Sequence, residues 1–259
     1  MTSGSGTVTS PWFVRPQSAD HAARIFCFPY SGAGASAFSA WPAVIGDVEL
    51  CPVQFPGREN RLAHPHYGTY EDLADSLVEP LEPLVDSPFA FFGHCAGALP
   101  AYETVIRLAE RGLPGPACLF VSGQPAPHEA SRDRMLTMTE SELRAGLESV
   151  IRGRGMVPRP DMIDLGMGVL LRDLEAARAY RRTEPVRVRC PVVVLHWRDD
   201  PEVRLDQLEG WRQYADSVDI QVVDGGHHDF MYARDELLGL LTSWRDSSAA
   251  RKREPKGIA

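Results

Sequence analysis

The stretch Pro88-Phe-Ala-Phe-Phe-Gly-His-Cys-Ala-Gly-Ala98 decides how this chain is read. A short apolar run bounded by proline and glycine predicts a strand buried on both faces. Gly93-His-Cys-Ala-Gly97 predicts a sharp turn, because glycines two residues either side of Cys95 let the backbone fold back tightly. The residues that follow predict a helix. A strand–turn–helix with a nucleophile at the tip of the turn presents that side chain at the edge of a sheet. Here the nucleophile is a thiol where serine is usual. Its ordinary pKa of about 8.5 falls when a helix N-terminus and an imidazole lie nearby.

The strand at 89–92 has companions. Arg24–Phe28, Val48–Phe55, Ala117–Ser122, Val192–His196 and Val218–Val223 are further candidate strands, several of them continuous apolar runs. Helical patterns lie between them. Leu73, Leu77, Leu81 and Leu84 share one face, with Pro80 expected to kink or shorten that helix. Tyr102, Val105, Ile106 and Ala109 form a stripe after the turn, with Pro100 tolerated in the first turn. Leu237, Leu240, Leu241 and Trp244 mark a last helix. This alternation predicts an α/β fold with a mostly parallel, doubly wound sheet.

Between Ser122 and Val192 the alternation breaks. Thr139-Glu-Ser-Glu142 reads as a capping box opening one helix, and a second pattern runs from about Leu165 to Arg182. An insertion of this length, about residues 125–185, reads as a helical lid. Five of the seven methionines fall there: Met135, Met138, Met156, Met162 and Met167. Their flexible thioethers suit a substrate-binding surface for variable acyl chains; ordinary helix packing is the competing reading. The expected organisation is a loose arm over 1–20, pinned by Trp12 and Phe13, one domain over 21–246, and a disordered tail over 247–259.

Composition narrows the function. With 259 residues, 44% apolar and 24% charged, the chain suits one large domain. A net charge of −8 argues against a nucleic-acid partner. There is no apolar run of about 18 residues to span a membrane and no secretory signal pattern. Five cysteines without CxxC or Cys/His spacing, four of them in or beside apolar runs, read as reduced thiols of a cytoplasmic protein. No metal or cofactor is expected.

A nucleophile needs a base, and the base an orienting acid. Downstream of Cys95, Pro191-Val-Val-Val-Leu-His-Trp-Arg-Asp-Asp-Pro201 runs from a strand into two carboxylates, and Val222-Val-Asp-Gly-Gly-His-His-Asp229 runs from a strand into a histidine loop. Nucleophile, acid, histidine is the chain order of α/β-hydrolases. His227, directly after two glycines, is the chosen base and His228 the structural neighbour. Asp200, preceding Pro201, is the chosen acid, with Asp199 the alternative. Asp224 and Asp229 read as surface charges, and His94 as packing under the turn. The Ala96 amide is one expected oxyanion donor, and the Ser31 amide, in Phe28-Pro-Tyr-Ser-Gly-Ala-Gly-Ala-Ser36, the other. Gly32 and Gly34 lack the third glycine of a dinucleotide loop.

On these residues the chain resembles the type II thioesterases, stand-alone α/β-hydrolases of polyketide and nonribosomal peptide assembly lines. Phe28–Ser36 resembles the family's oxyanion loop, Val53-Gln-Phe-Pro-Gly-Arg-Glu-Asn-Arg61 its Pro-Gly-Arg segment, and Gly93–Ala98 its Gly-His-Ser-x-Gly-Ala turn. Asp200-Pro201 and Gly225-Gly-His227 are similar to its acid and base loops. The resemblance implies an α/β-hydrolase fold with a helical lid, a Cys95–His227–Asp200 triad, and hydrolysis of acyl thioesters held on the phosphopantetheine arm of an acyl- or peptidyl-carrier protein. A monomer is expected. Tyr30 stands where the family has His, Ser31 where it has Ala, and Trp197 where it has Gly, the last expected to narrow the site beside Asp200.

Cysteine in place of serine leaves a thioester acyl-enzyme, still activated toward a second thiol or an amine. Acyl transfer is therefore the alternative to hydrolysis, and a non-catalytic carrier-binding module the third reading. A serine replaced by cysteine to trap an acyl group reads the same way. Arg152, Arg154 and Arg159 in the lid are candidates to meet carrier acids or the pantetheine phosphate.

Overall fold

Alternate residues of the central strands feed two cores, one on each face of the sheet. Phe26, Phe28, Phe89, Phe91, Leu119 and Val121 pack into the first; Ile25, Cys27, Ala90, Phe92, Cys118 and Phe120 pack into the second. Side chains alternate across a strand, so a strand covered on both faces must be apolar throughout. The computed structural model describes residues 7–8, 10–18, 21–132 and 134–245. The expected tail from Ser247 lies outside them.

The chain begins with a small antiparallel pair, β1 (Thr7–Val8) and β2 (Gln17–Ser18). The main sheet holds β3 (Ala23–Phe28), β4 (Val44–Ile45), β5 (Val48–Pro52), β6 (Phe89–His94), β7 (Cys118–Ser122), β8 (Val192–Trp197) and β9 (Val218–Val223). Its order is β4-β5-β3-β6-β7-β8-β9, with only β4 antiparallel to its neighbour. Helices α1 (Tyr70–Leu81) and α2 (Ala98–Glu110) cover the first face. Helix α5 (Asp235–Thr242) covers the second, through Leu237, Leu238 and Leu241. Helix α1 ends one residue after Pro80 and passes into a 3-10 turn.

Trp12 and Phe13 are buried, Phe13 against Phe26, and Phe13 bridges to Val53. The segment expected to form a lid contains α3 (Glu140–Gly153) and α4 (Pro160–Ala179). The Thr139–Glu142 capping box forms as the sequence predicts. Helix α4 starts about five residues earlier than expected, because Pro160 is accommodated at the first helical position. Leu143, Ile151, Ile163, Met167, Leu170 and Leu174 form a separate small core between the lid helices. No helix among the described residues is long and apolar enough to cross a membrane. The sheet's order reverses direction at β3, so the loops after β3 and β6 flank the crevice where open α/β sheets place their sites.

Candidate active site

Cys95 sits at the tip of the turn after β6 with φ +49, a left-handed conformation for a residue with a side chain. Such strain costs on the order of 1–3 kcal/mol and persists only where the surroundings enforce it. The glycines do so. A Cβ on Gly93 would lie 2.4 Å from Ala98 Cα, and one on Gly97 would lie 2.3 Å from the Pro29 carbonyl oxygen. The turn is thus pressed against both its own helix and the loop after β3.

The loops after β8 and β9 bring Asp200 and His227 together. Asp200 Oδ2 accepts from His227 Nδ1 at 2.7 Å, and Oδ1 accepts from the amides of Glu202 at 2.7 Å and Val203 at 3.1 Å. The Asp200 side chain is fully buried, while Asp199 is exposed. Burial alone would raise the Asp200 carboxyl; the His227 hydrogen bond and charge, with the two amides, outweigh it and hold the group below the usual range.

With Nδ1 committed to Asp200, Nε2 of His227 is left buried without a hydrogen-bond partner, on a pocket that His227 shares with Cys95. Burial favours the neutral ring, but Asp200, then Cys95 and Glu202, hold its pKa well above 6.5. Glu202 Oε2 lies 3.6 Å from Nε2. Cys95 and His227 line one small pocket with Gly123, Gln124, Arg134 and Glu202. Gly123, at φ +59, permits the approach: a Cβ there would sit 3.2 Å from His227 Cε1.

His228 does not reach Asp200. Its ring packs 5.1 Å from Tyr30, and burial, with His227 nearby, lowers its pKa to about 4. His94 is fully buried beneath the turn, stacked 4.0 Å from Phe230, and burial holds it neutral. Ser122 Oγ accepts from Trp197 Nε1 at 2.9 Å and shares a hydrogen bond with His94 Nδ1 at 2.9 Å. Trp197 therefore does not narrow the site as expected. Strand alternation turns it, with Leu195, into the second core. Asp224 pairs with Arg198 on the surface, but Asp229 does more, holding the histidine loop through the Gly226 amide and Arg234.

Ser31 and Ala96 line a second small pocket with Tyr30, Tyr67 and Asp173. The loop carrying Ser31 is held from several sides. Gln54 accepts from the Ala35 amide, Glu59 binds the Ser36 amide and hydroxyl, and Arg58 donates to the Ala33 carbonyl. The Pro56-Gly57-Arg58-Glu59 segment is therefore the cradle of that loop. Asp173, on α4, was not singled out by the sequence. It is a buried hub, accepting from Arg58 at 2.6 and 2.7 Å, from Tyr67 at 2.8 Å and from the Gly32 amide at 2.7 Å, with His66 Nε2 at 2.8 Å. Arg58 and these hydrogen bonds overcome burial and lower its pKa to about 2.

The five lid methionines do not gather beside Cys95. Met167 packs in the lid core with Met135 and Met138 at its margin, while Met156 and Met162 are exposed. None lines the pockets at Cys95 or Ser31. The lid arginines have local partners: Arg152 pairs with Glu148 at 2.8 Å, Arg159 with Asp161, and Arg154 bonds the Ser36 carbonyl and Ser39 hydroxyl. All five cysteines are buried and none is disulfide-bonded.

Comparison with known proteins gives this geometry its family. A family model described as a thioesterase domain matches residues 23–244. The gramicidin S biosynthesis protein GrsT of Aneurinibacillus migulanus is 31% identical over 230 residues, covering 85% of this chain and 88% of that protein. RedJ, a thioesterase from the prodiginine pathway of Streptomyces coelicolor, is 34% identical and superposes with a TM-score of 0.74 over 90% of this chain and 92% of its own. BorB, a type II thioesterase from the borrelidin biosynthetic cluster, is 28% identical with a TM-score of 0.78, covering 92% and 99%. A family model that matches nearly the whole described fold means that this chain belongs to the thioesterase family.

Proposed function

We propose that the chain hydrolyses acyl thioesters presented on the phosphopantetheine arm of a carrier protein in a polyketide or nonribosomal peptide pathway, through a Cys95 acyl-enzyme. The observation that carries this reading is the 2.7 Å Asp200–His227 hydrogen bond, which commits Nδ1 and leaves the other nitrogen for Cys95. His227 takes the thiol proton as Sγ attacks the thioester carbonyl. The oxyanion is met by the amides of Ala96 and Ser31. The intermediate collapses, the bond to the pantetheine sulfur breaks, and His227 returns the proton to that sulfur. Water then attacks the Cys95 thioester, giving its proton to His227; the carboxylic acid departs and Cys95 recovers its proton.

Acyl transfer is the second reading, favoured by the thiol itself. Cys95 exchanges one thioester for another with little free-energy change, and both Cys95 and His227 are nearly closed to bulk water, at 5% and 4% exposure. A carrier-binding module without catalysis would not require the buried Asp200–His227 pair. Acyl-carrier protein incubated with the chain, with and without a second carrier as acceptor, separates these. Free acid in both cases supports hydrolysis; product only with the acceptor supports transfer. No loss of acyl-carrier in either case overturns both.

A further inference from the structure

Asp173 is the point at which the lid, the Pro-Gly-Arg segment and the loop after β3 meet. It lies on α4, more than a hundred residues from Arg58, His66 and Tyr67, yet all three converge on its carboxylate. Its fourth partner is different in kind. Gly32, at φ +81, donates its backbone amide to Oδ2 at 2.7 Å. That amide is the one directly after Ser31 in the chain. A peptide plane is rigid, so fixing the Gly32 N–H fixes the plane that joins it to Ser31 and limits how the Ser31 amide can turn. Leu170, one turn earlier on α4, closes the same spot: a Cβ on Gly32 would lie 3.2 Å from Leu170 Cβ.

We infer that Asp173 is a positioning residue for thioester chemistry: by holding the Gly32 amide it aims the preceding Ser31 amide at the oxyanion, and so makes the lid helix part of the oxyanion-binding apparatus. This rests on the reading of Ser31 as the second donor. A second tether shows what a purely structural anchor of α4 looks like. Buried Glu103 on α2 accepts from Tyr180 at 2.7 Å and from Arg182 at 2.6 Å, just past the end of α4, and among the described residues makes no hydrogen bond to the loop after β3. Both carboxylates fasten the helix, but only Asp173 contacts the amide beside Ser31.

The test separates nucleophile, oxyanion site and fold. Iodoacetamide alkylation reads the Cys95 thiol alone. A trifluoromethyl ketone analogue of an acyl-pantetheine reads the oxyanion site: Cys95 Sγ adds to the ketone carbon, His227 takes the thiol proton, and the ketone oxygen becomes the bound oxyanion. The double variant Asp173→Leu/Arg58→Met removes the acceptor without stranding a buried guanidinium, and Asp173→Glu displaces the same carboxylate if the double variant does not fold. Expected is a loss of ketone affinity of about tenfold or more with alkylation nearly unchanged, since one oxyanion donor is worth about 100-fold or more in rate. Glu103→Gln should lower the melting temperature and leave ketone affinity intact. Ketone affinity unchanged in the Asp173 variants, or lost in proportion to melting temperature across all variants, overturns the inference while leaving the Ser31 reading standing. A wild-type chain that is alkylated at Cys95 but forms no ketone adduct overturns the oxyanion reading and the inference with it.

Discussion

Glu202 Oε2 lies 3.6 Å from His227 Nε2, so the imidazole has a carboxylate near each ring nitrogen: Asp200 on one side, Glu202 on the other, where Glu202 and Cys95 line the same pocket. Glu202 is about a quarter exposed, so water screens part of its charge. Its negative charge still favours the imidazolium. Removing it should make the ring easier to deprotonate. Glu202→Gln is therefore expected to move the His227 midpoint in the pH profile of kcat/KM to lower pH, by about one unit, near the lower end of what a close opposite charge produces. A midpoint that stays put, or moves up, would show that Glu202 does not act on the ring.

The two adjacent histidines should behave unequally. His227 is bonded to Asp200 and shares a pocket with Cys95, while His228 is held neutral against Tyr30. His227→Ala is expected to cost about 100- to 10,000-fold in kcat, the range of a general base. His228→Ala loses packing alone and should cost less than about tenfold. Steady-state kinetics on one acyl-thioester decides it; equal losses contradict the assignment of the base.

Gly123 is a tight spot with a clear sign. Its φ of +59 disfavours any side chain, and a new Cβ would meet His227 Cε1 at 3.2 Å. Gly123→Ala should destabilise the fold by about 1–2 kcal/mol through left-handed strain alone. Because the imidazole must also give way by a few tenths of an ångström, kcat/KM should fall by about tenfold. Wild-type activity in Gly123→Ala would mean that the ring has slack which the structure does not show.

Asp173 should make the protein acid-sensitive. Its pKa falls from 3.8 to about 2 on folding, so its contribution is present above the unfolded value and lost as pH drops through about 2. The depression corresponds to roughly 2 kcal/mol. Denaturant unfolding measured from pH 5 down to 2 should show a loss of that order in wild type. The Asp173→Leu/Arg58→Met variant lacks the titrating group, and its stability should fall less steeply. Parallel slopes would contradict the depressed pKa.

Much of this was legible before any coordinates, for physical reasons. Strands buried on both faces leave continuous apolar runs, and the glycines at 93 and 97 mark a turn that no larger residue fits. Strand β4 was not legible, since its two residues are defined by pairing with β5 rather than by any local pattern. The Asp173 hub was hidden because its partners are brought together only by the fold; a single aspartate in a helical stretch has no local signature. Ser122 and Gly123 were hidden likewise, their roles depending on side chains from β6, β8 and the loop after β9. Nearness in sequence places Trp197 beside Asp200, but strand alternation puts it on the same face of β8 as Leu195, in the second core. The methionine-rich composition of 125–185 suggests a surface for acyl chains, but α3 and α4 need an apolar seam of their own, and Met167 lies in it.

The central claim is that Cys95 carries the acyl group. Rapid-quench mass spectrometry of the chain mixed with an acylated carrier protein tests it most directly. The account predicts a transient mass increase equal to the acyl group, localised to the peptide containing Cys95 and absent from Cys95→Ala. Turnover of the thioester with no such adduct, or undiminished in Cys95→Ala, would contradict it.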